Sequence, residues 1–84
     1  MAGERRVLVR AYILVQTAVG TSAATARDIR DIGGVRSAEQ VTGPYDVVVE
    51  VEARDIDDLS SGVVASLHQI EGVTRTLTCA APSR

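Results

Sequence analysis

The sequence contains no phenylalanine, no tryptophan and only two tyrosines, Tyr12 and Tyr45, so its core has to be built from valine, isoleucine, leucine and alanine. Small aliphatic side chains make a thin core, and a chain of 84 residues buries a comparatively small share of its unfolded surface. Covalent and metal supplements are missing as well. A single cysteine, Cys79, excludes an internal disulfide, and one cysteine with one histidine, His68, cannot supply the ligands of a structural zinc site. Self-association is the remaining way to add buried area. Lysine is absent, and nine arginines against eleven acids leave a net charge of -2 with no basic stripe. Direct binding to nucleic acid is therefore not expected, because neutralising phosphates supplies most of that affinity. Arg10 and Gln16 interrupt the apolar amino-terminal stretch well short of a membrane span or a signal-peptide core. The expectation is a soluble, cytoplasmic protein without metal or cofactor.

What is present is a clear sequence of periodicities. Val7–Gln16 (VLVRAYILVQ) is apolar on both faces and reads as a central strand. After Gly20, Thr21 or Ser22 can accept hydrogen bonds from the first amides of a helix, in which Ala23, Ala26, Ile29 and Ile32 recur on one side. Gly33-Gly34 stops it. Val35–Thr42 reads as a polar edge strand, Gly43-Pro44-Tyr45 as a turn, and Asp46–Ala53 as a strand with Val47, Val49 and Val51 on one face. Asp55 suits an N-cap and Asp57 and Asp58 a first helical turn, ahead of Ile56, Leu59, Val63, Leu67 and Ile70 at helical spacing. This makes capping the better account of the three aspartates than a metal site. Beyond Gly72, Val73–Ala80 alternates again, with Thr74, Thr76 and Thr78 on one face and Val73, Leu77 and Cys79 on the other.

The order βαββαβ predicts an α+β fold of the ferredoxin-like, split βαβ kind: a four-stranded antiparallel sheet with both helices on one face. The other face is left uncovered. Out-of-phase positions should line it, namely Leu8, Arg10, Tyr12, Leu14, Ala38, Val48 and Thr76. Several are too apolar for water, and a contiguous exposed apolar patch marks an interface. A dimer through this face is expected, with Leu8, Tyr12, Leu14, Ala38 and Val48 as contacts. Cys79 reads as a small buried hydrophobe and His68 as a solvent-compatible residue near a helix end.

Four stretches taken in order, AYILVQTAVG, DIGGVRSAEQVTGPYDVVVEV, LHQIEGV and TRTLT, resemble the ligand-binding and oligomerising domain of the leucine-responsive and asparagine-responsive (Lrp/AsnC) family of transcription regulators. The likeness spans roughly Val7 to Ala80. It implies one domain over residues 7–80 between short tails at 1–6 and 81–84, and a dimer through the open sheet faces. It further implies assembly of dimers into octamers or decamers, with amino acids bound where dimers meet. The regulators carry an amino-terminal helix-turn-helix domain, and the first strand here begins near Val7. A stand-alone version of the domain is therefore expected, acting alone or with a full-length relative.

The resemblance directs attention to Gly43, Tyr45 and Asp46 in the turn and to Thr76 and Thr78. A free amino acid needs donors for its carboxylate and an acceptor for its ammonium in a partly dry site. Gly43 lets backbone approach a ligand, Pro44 offers no N–H, and Asp46 either pairs with an ammonium group or hydrogen-bonds its own turn. Thr76 and Thr78 either offer hydroxyls to a ligand across the dimer contact or are strand residues chosen for propensity. Two other functions compete: a purely structural oligomerisation module, and a cofactorless dimeric enzyme such as a monooxygenase. The enzyme would need a polar cavity between sheet and helices, where this sequence offers aliphatics and no Asn or Trp.

Overall fold

The computed structural model describes residues 8–81, which run β1 (Val9–Thr17), α1 (Ser22–Arg30), β2 (Val35–Gln40), β3 (Val47–Ala53), a helical segment α2 and β4 (Val73–Ala81). α2 is composite: a first turn Ile56–Asp58, a π-helical stretch Leu59–Val64 and a closing turn Ala65–His68. Val7 and the expected tails lie outside the described residues, except that Ala81 closes β4.

The strands form one antiparallel sheet in the order β2-β3-β1-β4, so the two central strands are the two most apolar ones. One face carries Ala11, Ile13, Val15, Val47, Val49, Val51 and Ala53, all buried against Ala26 and Ile29 of α1 and Leu59, Val63 and Leu67 of α2. This is the ferredoxin-like arrangement. Each Val, Leu or Ile removed from water here contributes roughly 1.5–3 kcal/mol, and the space between sheet and helices is filled by these aliphatics.

α1 differs in detail from its expected stripe. Ala23 is exposed and Thr25 is buried in its place, 2% accessible. Thr21 occupies the N-cap position, but its hydroxyl donates to the Ala18 carbonyl (2.7 Å) and caps no helix amide. At the other end Arg27 and Arg30 complement the helix dipole. The Arg30 guanidinium also donates through Nε (3.1 Å) and Nη2 (2.7 Å) to the Ala38 carbonyl, fastening the helix to β2. Gly34, with φ +93°, turns the chain where a Cβ would lie 3.0 Å from both the Glu52 carbonyl and a Val63 methyl.

α2 begins as expected: the Asp58 amide donates to Asp55 Oδ1 (2.7 Å), and Asp58 Oδ2 accepts from the Arg54 amide (3.0 Å). Ile56, however, is 56% exposed and stands off the buried stripe. That stripe is Leu59, Val63 and Leu67, spaced by four, a period that drifts around an α-helix of 3.6 residues per turn. The wider i→i+5 turn over Leu59–Val64 offsets the drift and keeps all three against the sheet.

A register shift in β2 and the pairing of β4 correct the expected open face. β2 inserts an extra residue opposite β3 between Val35, which faces Val51, and Ser37, which faces Glu50. Ala38 consequently lies opposite Val49 and is fully buried under the helices; it does not reach the open face. In β4 the register places Thr76 opposite Val15 and Thr78 opposite Ile13, both helix-side positions, whereas Leu77 and Cys79 lie opposite Leu14 and Tyr12. Thr76 and Thr78 share one face and Leu77 and Cys79 the other, but the irregularity beside Gln16 puts Val73 against the core and apart from Leu77 and Cys79; Thr76 points the other way from the open face, and Cys79 is exposed, not buried. Leu8, immediately before β1, is 39% exposed and lines a hollow with Val35, Ala53 and Arg54.

The uncovered face therefore has a centre of Tyr12 (38% exposed), Leu14, Val48, Leu77 (47% exposed) and Cys79. Ion pairs flank it: Arg10 with Glu50 (3.8 Å) and Arg36, thrown outward at the β2 bulge, with Glu52 (3.0 Å). Arg10 also donates to the Tyr12 hydroxyl (3.1 Å).

Candidate functional site

A broad concavity lies at the sheet end where β1 stops and β3 starts. It is an open cleft of ≈ 570 Å³ between the β1–α1 loop and the β2–β3 loop. Thr17, Val19, Gly20 and Ser22 contribute from one side, Gly43, Pro44 and Asp46 from the other, and Gln16 and Thr74 from the sheet.

Its geometry begins with Asp46. The Asp46 amide donates to the Val15 carbonyl (2.9 Å) and its own carbonyl accepts from Val41 (2.9 Å), so the residue is pinned by backbone on both sides. Oδ2 then accepts from the Thr17 amide (2.8 Å) and the Thr17 hydroxyl (3.2 Å). The carboxylate thus bonds across to β1, not to its own turn. Oδ1 accepts no hydrogen bond among the described residues, which leaves one oxygen able to accept from a further donor.

Other contacts hold the two loops in register. Gln16 Nε2 donates to the Pro44 carbonyl (3.3 Å), the Thr74 hydroxyl donates to the Gln16 carbonyl (3.0 Å), and Ser22 Oγ donates to Gln40 Oε1 (3.2 Å). Gly43 has φ +155°, and nothing lies within 4 Å of where its Cβ would stand, so the turn is open on the cleft side. Val19 at the lip of the loop is fully exposed, a hydrophobe with nothing over it.

Of the residues expected at a ligand, the cleft brings together Gly43 and Asp46 only. Tyr45 is half-buried and lies outside the lining, and Thr76 and Thr78 are on the sheet away from it; the Thr76 hydroxyl meets His68 Nε2 at 3.1 Å. The threonine that does line the cleft is Thr74, carried there by the irregularity at which Gln16 faces Arg75 but Thr17 faces Val73. In the sequence Thr74 belongs to the same alternation as Thr76 and Thr78, and Thr21 and Ser22 read as helix caps, so nothing there sets Thr74 or this loop apart as part of a site. Chemically the cleft offers one carboxylate, hydroxyls, an amide side chain and backbone groups. Its one hydroxyl–carboxylate contact, Thr17 with Asp46, ties β1 to the β2–β3 loop, and among the described residues no group of His, Cys, Asp or Glu is arranged as a metal site.

Comparison with known proteins gives a consistent result. Residues 10–83 match the family described as the Lrp/AsnC ligand binding domain. A solved protein of Thermus thermophilus is 30% identical, superposes with a TM-score of 0.82, and is matched over 90% of this chain and 95% of its own. A transcriptional regulator of Neisseria meningitidis, solved in complex with L-methionine, shares the fold at a TM-score of 0.78 and 20% identity, over 93% of this chain and 52% of its own. Homocitrate synthase of Sulfurisphaera tokodaii is 37% identical over 60 residues, which is 71% of this chain and 13% of that enzyme, so the chain spans only a small part of this curated relative's length.

Proposed function

Because the chain belongs to the Lrp/AsnC ligand-binding domain family, we propose that it is a self-assembling regulatory module that binds a free amino acid at the Asp46 cleft and performs no chemistry of its own. The observation that carries this reading is the Asp46 carboxylate, held by Thr17 through one oxygen and open through the other, in a cleft walled by hydroxyls and backbone. A fixed carboxylate suits an ammonium group, and its rigidity limits the entropy lost on binding. The neisserial regulator bound to L-methionine supports an amino acid as the ligand.

In this reading one domain spans residues 7–80 and pairs through the open face centred on Tyr12, Leu14, Val48 and Leu77. Pairs then associate at the cleft end, where the bare Val19 side chain would be covered. The protein works in the cytoplasm and answers to the amino acid through a partner. A DNA-binding relative of the same family is one such partner. The match to part of homocitrate synthase supports a second, a biosynthetic enzyme to which the module lends amino-acid sensing. The sheet geometry allows either partner: Arg10 faces Ala81 and Thr17 faces Val73, so β1 begins and β4 ends at the end of the sheet opposite the cleft.

The test is a melt of the protein with each of the twenty amino acids, alongside its mass by light scattering. A ligand at a hundred times its Kd adds about 2.7 kcal/mol to the native state, which raises Tm by on the order of ten degrees in a domain this size. No shift with any amino acid leaves the purely structural module as the better account, and a mass near that of one chain removes the assembly.

A further inference from the structure

The cleft is uniform in charge. Asp46 is the one charged side chain among the described residues that line it; Gln16, Thr17, Ser22 and Thr74 are neutral. The described arginines are placed elsewhere. Arg10 and Arg36 pair with Glu50 and Glu52 on the open face, Arg54 pairs with Asp58, and Arg30 is spent on the Ala38 carbonyl. Arg75 lies opposite Gln16 on the open sheet face, and Arg27 is exposed on α1; neither lines the cleft.

We infer that the cleft selects amino acids with uncharged or cationic side chains and rejects aspartate and glutamate. The inference rests on the reading of the cleft as an amino-acid site. A zwitterion brings one positive and one negative group. Its ammonium balances Asp46 through the open Oδ1, while its carboxylate finds only neutral donors. The amides of Val19, Gly20 and Ser22 supply these, since none of them donates to a backbone acceptor among the described residues. A second carboxylate on the ligand has no side-chain cation to meet among the described residues that line the cleft. It adds a like charge close to Asp46 in a partly desolvated space, where repulsion is screened far less than in water. Asparagine and glutamine match the two acids in shape without that charge.

The experiment titrates the full chain, by calorimetry or by its melt, with each of the twenty amino acids, first unaltered and then as Asp46→Asn. The asparagine variant keeps an acceptor for the Thr17 amide and removes the charge. In the unaltered protein, aspartate and glutamate should each bind at least about tenfold more weakly than the tightest neutral amino acid. In Asp46→Asn that gap should close substantially as the repulsion goes, even though neutral ligands also bind less well. Aspartate or glutamate binding as tightly as any neutral amino acid overturns the inference and leaves the amino-acid site standing. A gap that survives unchanged in Asp46→Asn overturns it too, because the discrimination then comes from shape. If no amino acid binds the unaltered protein at all, the underlying reading fails and takes the inference with it.

Discussion

Leu77 and Thr78 are neighbours on β4 that point to opposite sides of the sheet, and placing an aspartate at each in turn separates assembly from folding. Leu77 lies opposite Leu14 on the open face and is 47% exposed in the single chain. Burying a whole leucine side chain stabilises by roughly 1.5–3 kcal/mol, so covering the exposed half contributes about half of that per protomer, or about 1.5–3 kcal/mol per symmetric dimer. Leu77→Asp removes this and adds a carboxylate from each protomer, with apolar Leu14 as its neighbour in the sheet, at a further cost of several kcal/mol. A total loss of only about 4 kcal/mol already weakens the pair a thousandfold. Within one chain the change is mild, because the site is already half in water. Thr78, opposite Ile13 on the helix side, is exposed on the edge strand, and Thr78→Asp should leave assembly unchanged. Sedimentation or light scattering at micromolar concentration, with far-UV circular dichroism beside it, should give a folded monomer for Leu77→Asp and an unaltered oligomer for Thr78→Asp. An intact oligomer of Leu77→Asp, or one broken by Thr78→Asp alone, would refute the assignment of faces.

Two further substitutions probe the cleft end. Asp46→Ala should cost roughly 1.5–3 kcal/mol, read as a Tm loss on the order of ten degrees, because it removes the acceptor of both Thr17 bonds, one of them to a backbone amide left half-buried. It should also abolish any amino-acid-induced rise, and a variant as stable as the parent would show the tie to be idle. Gly72→Ala should cost about 1–3 kcal/mol by overpacking, since the new Cβ would collide with the hydroxyl of buried Thr25. Denaturant unfolding of Gly72→Ala with Thr25→Ala should recover part of that loss, and a purely additive double variant would place the strain elsewhere.

Most of the architecture is legible in the sequence because β1 and β3 announce themselves. The alternation of Ala11, Ile13 and Val15 and of Val47, Val49 and Val51 fixes which side is buried, and Asp55 marks the start of α2 through chemistry that has one main use. Two of the errors sit at single inserted residues. An alternating pattern assumes an unbroken pleat, and one extra residue reverses every side chain beyond it. The bulge after Val35 is why simple alternation puts Ala38 on the wrong face, and the irregularity between Gln16 and Thr17 brings Thr74 to the cleft. Neither is marked by a glycine or a proline. Cys79 departs from expectation for a different reason: a small apolar residue reads as interior, but here the open face is apolar too. At the site, residue type points to Gly43 and Asp46, whereas the Thr17 partnership joins residues 29 apart and emerges only when β1 and β3 pair.

That pairing makes β1 the strand on which three demands meet. Ile13 and its neighbours on the covered side belong to the core; Tyr12 and Leu14 on the other side belong to the proposed dimer; Thr17 at the end holds Asp46 at the proposed ligand site. Gln16 joins the last two, since it faces Arg75 on the open side while its amide donates to the Pro44 carbonyl of the cleft loop. A strand packed on one face and hydrogen-bonded on both edges cannot shift one of these groups without moving the next. A ligand that tightens the Thr17–Asp46 end therefore acts on the same rigid element that presents the dimer face. If that contact favours the assembled state, assembly must strengthen ligand binding by the same factor, because coupling free energy is reciprocal.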